Sequence, residues 1–357
     1  MERIIDRLAE ENRLDRDDWV KLLQAYRDTS LTSYAATRAK AVRDRHFGRS
    51  VFLRGLIEFT NFCQNDCLYC GLRKSNIRVD RYRLNRESIL ARCQAGYDLG
   101  FRTFVLQGGE SPADGDPGLV KNIKAIRAAF PDCAITLSVG EKSRQAYENF
   151  FQAGADRFLL RHETANAEHY RRLHPPSMSL ENRKRCLYDL KEIGFQIGAG
   201  FMVGSPWQTE DILAEDFIFL TELQPHMVGI GPFIPHQETP LAKYPAGGAE
   251  LTLFILALVR LLLPKVLLPA TTALGTVDLT ARERALDYGA NVMMPNLSPL
   301  DVRKKYEIYA GKIHLDEEAA EGVNRLKARL LALGYEVPDV RGDSPDFMPA
   351  CGEAKKA

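Results

Sequence analysis

Two rhythms divide the chain. Over the first fifty residues, apolar side chains recur at helical spacing, as in Ile4, Ile5 and Leu8 and again in Leu22, Leu23 and Tyr26. From residue 51 the pattern changes. Short apolar or β-branched runs, at 51–59, 103–106, 134–139, 157–160, 196–203, 227–230, 266–270 and 291–294, alternate with amphipathic stretches. Those stretches, at 86–99, 119–129, 143–152, 180–193, 209–223, 251–262 and 280–288, read as helices. Eight strands alternating with helices predict a parallel α/β fold, and the number eight favours a (β/α)8 TIM-type barrel. Gly100, Gly154, Gly194 and Gly289 fall where helices should stop before strands. The expected organisation is an N-terminal helical extension over 1–50, a barrel over 51–312 and a C-terminal helix and tail over 313–357. The polar segment from Pro338 is expected to be loosely held.

Composition narrows the class of function. With 48 basic and 47 acidic residues in 357, the chain carries no field that would favour nucleic acid or an anionic membrane. The most apolar stretch, 251–270, is interrupted by Arg260, Pro264 and Lys265, so a buried helix and strand fit better than a membrane span. The first residues show no secretory apolar run, and a cytoplasmic protein is expected. Three of the seven cysteines lie within eight residues, which argues against a disulfide framework.

Those three, Cys63, Cys67 and Cys70, follow the first strand and so occupy the loop where a barrel keeps its chemistry. Thiolates suit zinc or iron–sulfur clusters, and no second cysteine pair completes a zinc site. Three thiolates on a 4Fe-4S cluster leave one iron open to a small chelating molecule. The amino and carboxylate groups of S-adenosyl-L-methionine (SAM) serve that purpose, and an electron from the cluster can then cleave the sulfonium. The spacing is a signature of the radical SAM superfamily. A structural zinc scaffold without activity is the competing reading.

Around the cluster loop, IEFTNFCQNDCLYCGLRKSN with LQGGE, LLRHETAN, GAGFMVG, MVGIGPFIPH, PATTALGT and ANVMMPN closely resembles the HydE-type FeFe-hydrogenase maturases. More broadly the chain is similar to the biotin synthase and methylornithine synthase group. The likeness runs from about Arg54 to Lys312. It implies a barrel enclosing a large cavity and a role in assembling the diiron site of the hydrogenase. It also implies an organometallic or small-molecule substrate, transient contact with other hydrogenase maturases and an external electron donor. The enzyme alternative is a mutase-like activity on an amino acid or thioether, similar to methylornithine synthase.

The resemblance also assigns residues. Tyr69 would contact adenine, or simply pack the loop. Gly108, Gly109 and Glu110 would hold the SAM amino group, although Gly-Gly-Glu is often only a turn. Glu163 would bind the ribose hydroxyls and Arg161 an anionic substrate group; alternatively the two form a structural ion pair. Arg183 would meet the SAM carboxylate, or be a solvated helix charge. Met202 would border the adenosyl group, or be a core methionine. Arg54, Thr271, Thr272, Tyr306 and Tyr309, with Asn296 nearby, would line the substrate end. His162 and His236 receive no catalytic role, and Cys93, Cys133 and Cys186 read as inert buried thiols. Some HydE proteins carry three further cysteines for an auxiliary cluster. The corresponding stretch, 312–322, has none here, so a single cluster is expected.

Overall fold

The computed structural model describes residues 1–112, 116–313 and 319–347; Cys351 and part of the stretch expected to lack auxiliary cysteines lie outside them. The N-terminal region forms α1 (Glu2–Glu11), α2 (Arg16–Gln24) and α3 (Thr29–Phe47). Parallel strands then alternate with helices. The first stave is β1 (Phe52–Leu53) continued by β2 (Gly55–Thr60), followed by β3 (Thr103–Gly108), β4 (Ala134–Ser138) and β5 (Arg157–Leu159). Next come β6 (Gln196–Ala199) with its continuation β7 (Met202–Val203), and β8 (Met227–Val228) with β9 (Gly231–Pro232). The last strand is β10 (Val292–Met293). The ladder β2-β3-β4-β5-β6-β8 is parallel throughout. Segment 266–270 joins it through single bridges, Met227 to Leu267 and Pro269 to Val292. The pairing of β10 with β1, Phe52 opposite Val292, closes the circle. The eight expected strands thus form a closed barrel, the seventh as a bridged rather than a regular strand.

The connecting helices are α4 (Arg86–Asp98), α5 (Pro117–Ala129), α6 (Arg144–Gln152), α7 (Ala167–Leu173), α8 (Leu180–Ile193), α9 (Glu210–Leu223) and α10 (Ala249–Leu262). After them come α11 (Thr272–Val277), α12 (Ala281–Asp287), α13 (Leu300–Arg303) and α14 (Ala319–Ala332). The four glycines expected to stop helices all have φ between 89° and 113°, a left-handed conformation that a Cβ resists. The short helices α7, α11 and α13 sit in loops that show too little periodicity to be read from sequence.

The N-terminal helices cover the barrel's outer helices. Trp19 of α2 stacks on Phe217 of α9 at 4.1 Å, and Asn12 donates to the Leu261 carbonyl at 2.8 Å. Every residue of α10 from Thr252 to Leu262 is buried, which accounts for its apolar sequence without a membrane. Among the described residues, no helix is long and apolar enough to cross one.

The tail departs from expectation. Residues 341–344 are fastened across the N-terminal end of the barrel. The Arg341 carbonyl accepts from Thr103 Oγ1 and Arg157 Nη2, both at 2.8 Å, and Asp343 pairs with Arg157 at 2.6 Å. Ser344 N donates to Gln196 Oε1 at 3.0 Å. A polar segment is held here because the strand ends beneath it present buried polar groups that need partners.

Candidate active site

The cysteine loop begins with a bulge. Between Glu58 and Thr60 the β2–β3 register slips by one residue, which re-aims the chain as it leaves the strand. Asp66 then ties the loop to the turn after it. Its Oδ1 accepts from Arg73 Nε at 2.8 Å, Ser75 N at 3.0 Å and Ser75 Oγ at 2.7 Å. Arg81 closes the unit from the other side by donating to the carbonyls of Asn61, Leu72, Arg73 and Asn76. Asn61, fully buried, accepts from Tyr82 N and donates to the carbonyls of Asp80 and Lys305.

Within this frame Cys63, Cys67 and Cys70 are half-buried and unbonded to one another. Burial pushes all three thiols up, Cys70 to about 12, and each is raised further by a neighbouring cysteine of the trio or by Glu110. Three desolvated sulfurs facing one space suit a cationic centre that holds them as thiolates. Among the described residues, no three His, Cys, Asp or Glu side chains are gathered closely enough to share one metal ion.

Gly108 and Gly109 end β3 against this loop. A Cβ on Gly109 would strike the Phe62 carbonyl and come within 2.8 Å of Cys63 Cβ, so only glycine allows the approach. Glu110 N lies 3.4 Å from Cys63 Sγ, an N–H to sulfur contact, and the Glu110 carbonyl accepts from Gln64 N at 2.8 Å. The Glu110 carboxylate accepts from Glu141 N at 2.8 Å and Gln64 Nε2 at 3.3 Å. It therefore spaces the loops after β2, β3 and β4.

Tyr69 and Met202 share one apolar cluster with Leu68, Leu173 and Phe233 beside the cysteine loop. The Tyr69 hydroxyl donates to His174 Nε2 at 3.2 Å. His174 Nδ1 faces the Tyr170 carbonyl at 2.9 Å and so carries the ring's hydrogen. Tyr170 stacks on the same imidazole at 3.8 Å, and its hydroxyl accepts from Arg183 Nε at 3.4 Å. Arg183, in the first turn of α8, forms a buried ion pair with Glu141 at 2.8 Å, not a solvated charge.

Arg161 and Glu163 leave β5 at the mouth. Arg161 Nη2 and Glu163 Oε2 lie 2.9 Å apart, the ion pair that was one of the two readings of these residues. The geometry is not that of a hydrogen bond, and both atoms, with Arg161 Nε, are buried without a hydrogen-bond partner. Buried polar atoms with unused capacity mark a place built for a polar ligand. Glu163 acts electrostatically on both Tyr69 and Cys70, which places its carboxylate toward the cluster loop.

The residues expected at the substrate end are spread along the barrel. Thr271 caps α11 and faces Gly231 of β9. Thr272, Asn296 and Lys312 line a cavity of about 360 Å³ between the barrel wall and α14. Tyr306 is buried, accepts from Gln107 Nε2 at 3.3 Å and lies under the Lys312 ammonium. Tyr309 lies close enough to Arg161 and Glu58 to feel both charges. Arg54 is at the opposite end from the cysteines. Its guanidinium is 1% exposed and meets Met227 Sδ at 2.7 Å, while Nε and Nη2 have no partner. Burial and the nearby Arg157 lower its pKa well below the usual value. Arg157 begins β5 and Arg161 lies two residues beyond its end, about 13 Å away at the rise of a strand, so Arg54 and Arg161 occupy different ends of the interior. His236 packs against Gly71 behind the cluster loop.

Four features escaped the sequence reading: His174 with Tyr170, Glu141, Asp216 and the buried Glu58–Lys312 pair. Each depends on a contact between residues far apart in the chain. Only the presence of Glu58 inside an otherwise apolar strand signalled that a partner must exist.

Comparison with known proteins agrees with this geometry. Residues 57–220 match the Radical SAM superfamily. The chain is 48% identical to the [FeFe] hydrogenase maturase subunit HydE of Thermotoga maritima over 283 residues, 78% of this chain and 80% of that one. It is 29% identical to 3-methylornithine synthase of Methanosarcina acetivorans over 94% of each chain. In fold it superposes on the crystal structure of methylornithine synthase (PylB) with a TM-score of 0.80 at 24% identity, covering 94% of this chain and 97% of that one. The thiols that burial would otherwise leave protonated, and the Arg161–Glu163 ion pair whose facing atoms make no hydrogen bond, fit the cluster and nucleotide that this superfamily uses. The chain belongs to the HydE-type family of radical SAM enzymes, which work with a 4Fe-4S cluster and S-adenosylmethionine.

Proposed function

We propose that this enzyme cleaves SAM reductively while assembling the diiron active site of FeFe-hydrogenase. The observation that carries the reading is the 48% identity to HydE over 283 residues, 78% of this chain. When bound, the 4Fe-4S cluster would supply the one-electron reduction that cleaves the SAM sulfonium, with the electron coming from an external donor.

The chain's own residues bind and orient. Cys63, Cys67 and Cys70 would hold the 4Fe-4S cluster. Tyr69, Gly108, Gly109, Glu110, Glu163, Arg183 and Met202 border SAM. Here Arg183 acts from its ion pair with Glu141 and offers its remaining guanidinium donors to the carboxylate. Arg161 binds an anionic group of the substrate near the radical. Arg54, Thr271, Thr272, Tyr306 and Tyr309 shape the rest of the interior for a small or organometallic substrate. The enzyme works in the cytoplasm, with transient contact to other maturases.

The test is anaerobic reconstitution followed by a 5′-deoxyadenosine assay. Wild-type protein should show cluster absorbance and cleave SAM once reduced. Serine at any of the three cysteines should abolish both; cleavage that survives such a change would defeat the assignment. A mutase-like activity on an amino acid or thioether has support in the full-length similarity to 3-methylornithine synthase. Turnover of an amino acid and not of the hydrogenase precursor would select it.

A further inference from the structure

Glu163 has φ of 66°. Apart from Asn12, Trp207 and Gln224, it is the one non-glycine residue with positive φ among those described. A side chain in this left-handed region persists only where the surroundings fix it. Four contacts do so here. Glu163 N donates to the Gly200 carbonyl at 3.0 Å, and Met202 N donates to the Glu163 carbonyl at 3.1 Å, joining the turn to β6 and β7. On the other side, a single oxygen of Asp216 reaches both flanks of Glu163. Asp216 Oδ1 accepts from His162 Nε2 at 3.1 Å and from Ala165 N at 2.6 Å.

Asp216 lies on the barrel-facing side of α9 among Leu213, Phe217 and Leu220, where an apolar residue is the ordinary choice. Asp216 and His162 are both fully buried. The second oxygen of Asp216 has no hydrogen-bond partner. A carboxyl group kept in such a place, using only one oxygen, serves the two donors it meets. His162 is fixed in turn. Its Nδ1 lies 3.4 Å from Gly200 N and accepts, so Nε2 carries the hydrogen given to Asp216. Its ring rests edge-on against Phe219 at 4.9 Å.

We infer that Asp216 and His162 are positioning residues that hold Glu163 in its left-handed turn and so keep its carboxylate at the mouth beside Arg161. The inference rests on the reading of Glu163 as a SAM contact. Neither residue touches the nucleotide; both act through the backbone of 162–165.

Leucine at Asp216 keeps the branched shape of the side chain and removes both acceptor contacts; asparagine keeps Oδ1. In reconstituted holoprotein, D216L should load iron as wild type does yet bind SAM about tenfold more weakly or worse, while D216N should stay within about threefold. The SAM-induced change in the EPR spectrum of the reduced cluster should follow the same order. If D216L binds SAM like wild type, or D216N is as weak as D216L, the clamp is wrong. If D216L fails to load iron, H162F decides. It retains the ring against Phe219 and loses the donor, and wild-type SAM affinity in H162F overturns the inference. E163A separates the two levels. Wild-type SAM affinity in E163A defeats the reading beneath the clamp, whereas weak binding in E163A with normal binding in D216L defeats the clamp alone.

Discussion

The hydroxyl of Tyr69 donates to His174 Nε2 at 3.2 Å, and the backbone repeats the link one residue earlier, from Leu68 N to the Leu173 carbonyl at 2.9 Å. The end of α7 is thereby fastened to the segment that carries Cys67 and Cys70. His174 should therefore matter to the cluster loop although it lies more than a hundred residues away. H174F leaves the Tyr69 hydroxyl without its acceptor at a partly buried site, a loss of about 1 kcal/mol. A lower melting temperature and severalfold weaker SAM binding are expected, with Y69F adding little on top. Additive losses in the double variant would show that the two residues act separately.

Under the proposed function Arg161 acts on substrate and Glu163 on SAM, although the two form an ion pair. R161M should retain uncoupled SAM cleavage, measured as 5′-deoxyadenosine without substrate, and lose at least about tenfold in substrate turnover. Abolished SAM binding in R161M would show that this division of the mouth is wrong.

Arg54 is a buried guanidinium with two unpartnered nitrogens. Removing a buried charge that lacks most of its hydrogen-bond partners is expected to stabilise the protein. R54M should accordingly melt higher than wild type while turning over substrate poorly. Small anions should raise the wild-type melting temperature and leave R54M unmoved. An unstable R54M would mean that the guanidinium already has its counter-charge.

Acid should destabilise the fold before the carboxylates titrate. Burial lowers His174 to about 3 and His226 to about 4, from an ordinary value of 6.5. Because the folded pKa is the lower one, the unfolded chain takes up protons first as pH falls. The stability is intact above about 6.5 and is lost between there and 4, at about 1.4 kcal/mol per pH unit for each histidine. Chemical denaturation of the metal-free protein between pH 7.5 and 4.5 measures the slope. H226Q should remove about one proton's worth of it, and an unchanged slope would show that His226 titrates normally.

The barrel was legible because its strands are short buried runs and its helices long amphipathic ones, a contrast that survives in one dimension. The apolar α10 could be read as buried, but not what buries it. That is the N-terminal extension, where Asn12 at the end of α1 donates to the Leu261 carbonyl of α10 at 2.8 Å. The tail was misread for the same reason. Arg341, Asp343 and Ser344 look like a solvated segment until the ends of β3, β5 and β6 offer them partners.

The site divides along the same line. Sequence by itself determined the cysteine trio, since three thiols within eight residues must share one loop whatever the rest of the chain does. It also placed Gly108–Glu110 and Arg161–Glu163 at strand ends, because alternation fixes which end of a strand faces the mouth. Only the tertiary structure decided that Arg183 meets Glu141, that Tyr69 meets His174, that Asp216 reaches around Glu163, and that Arg54 lies far from Arg161. Periodicity reports which side of an element is buried; it holds no record of which distant element arrives there, because that is set by the closure of the barrel as a whole.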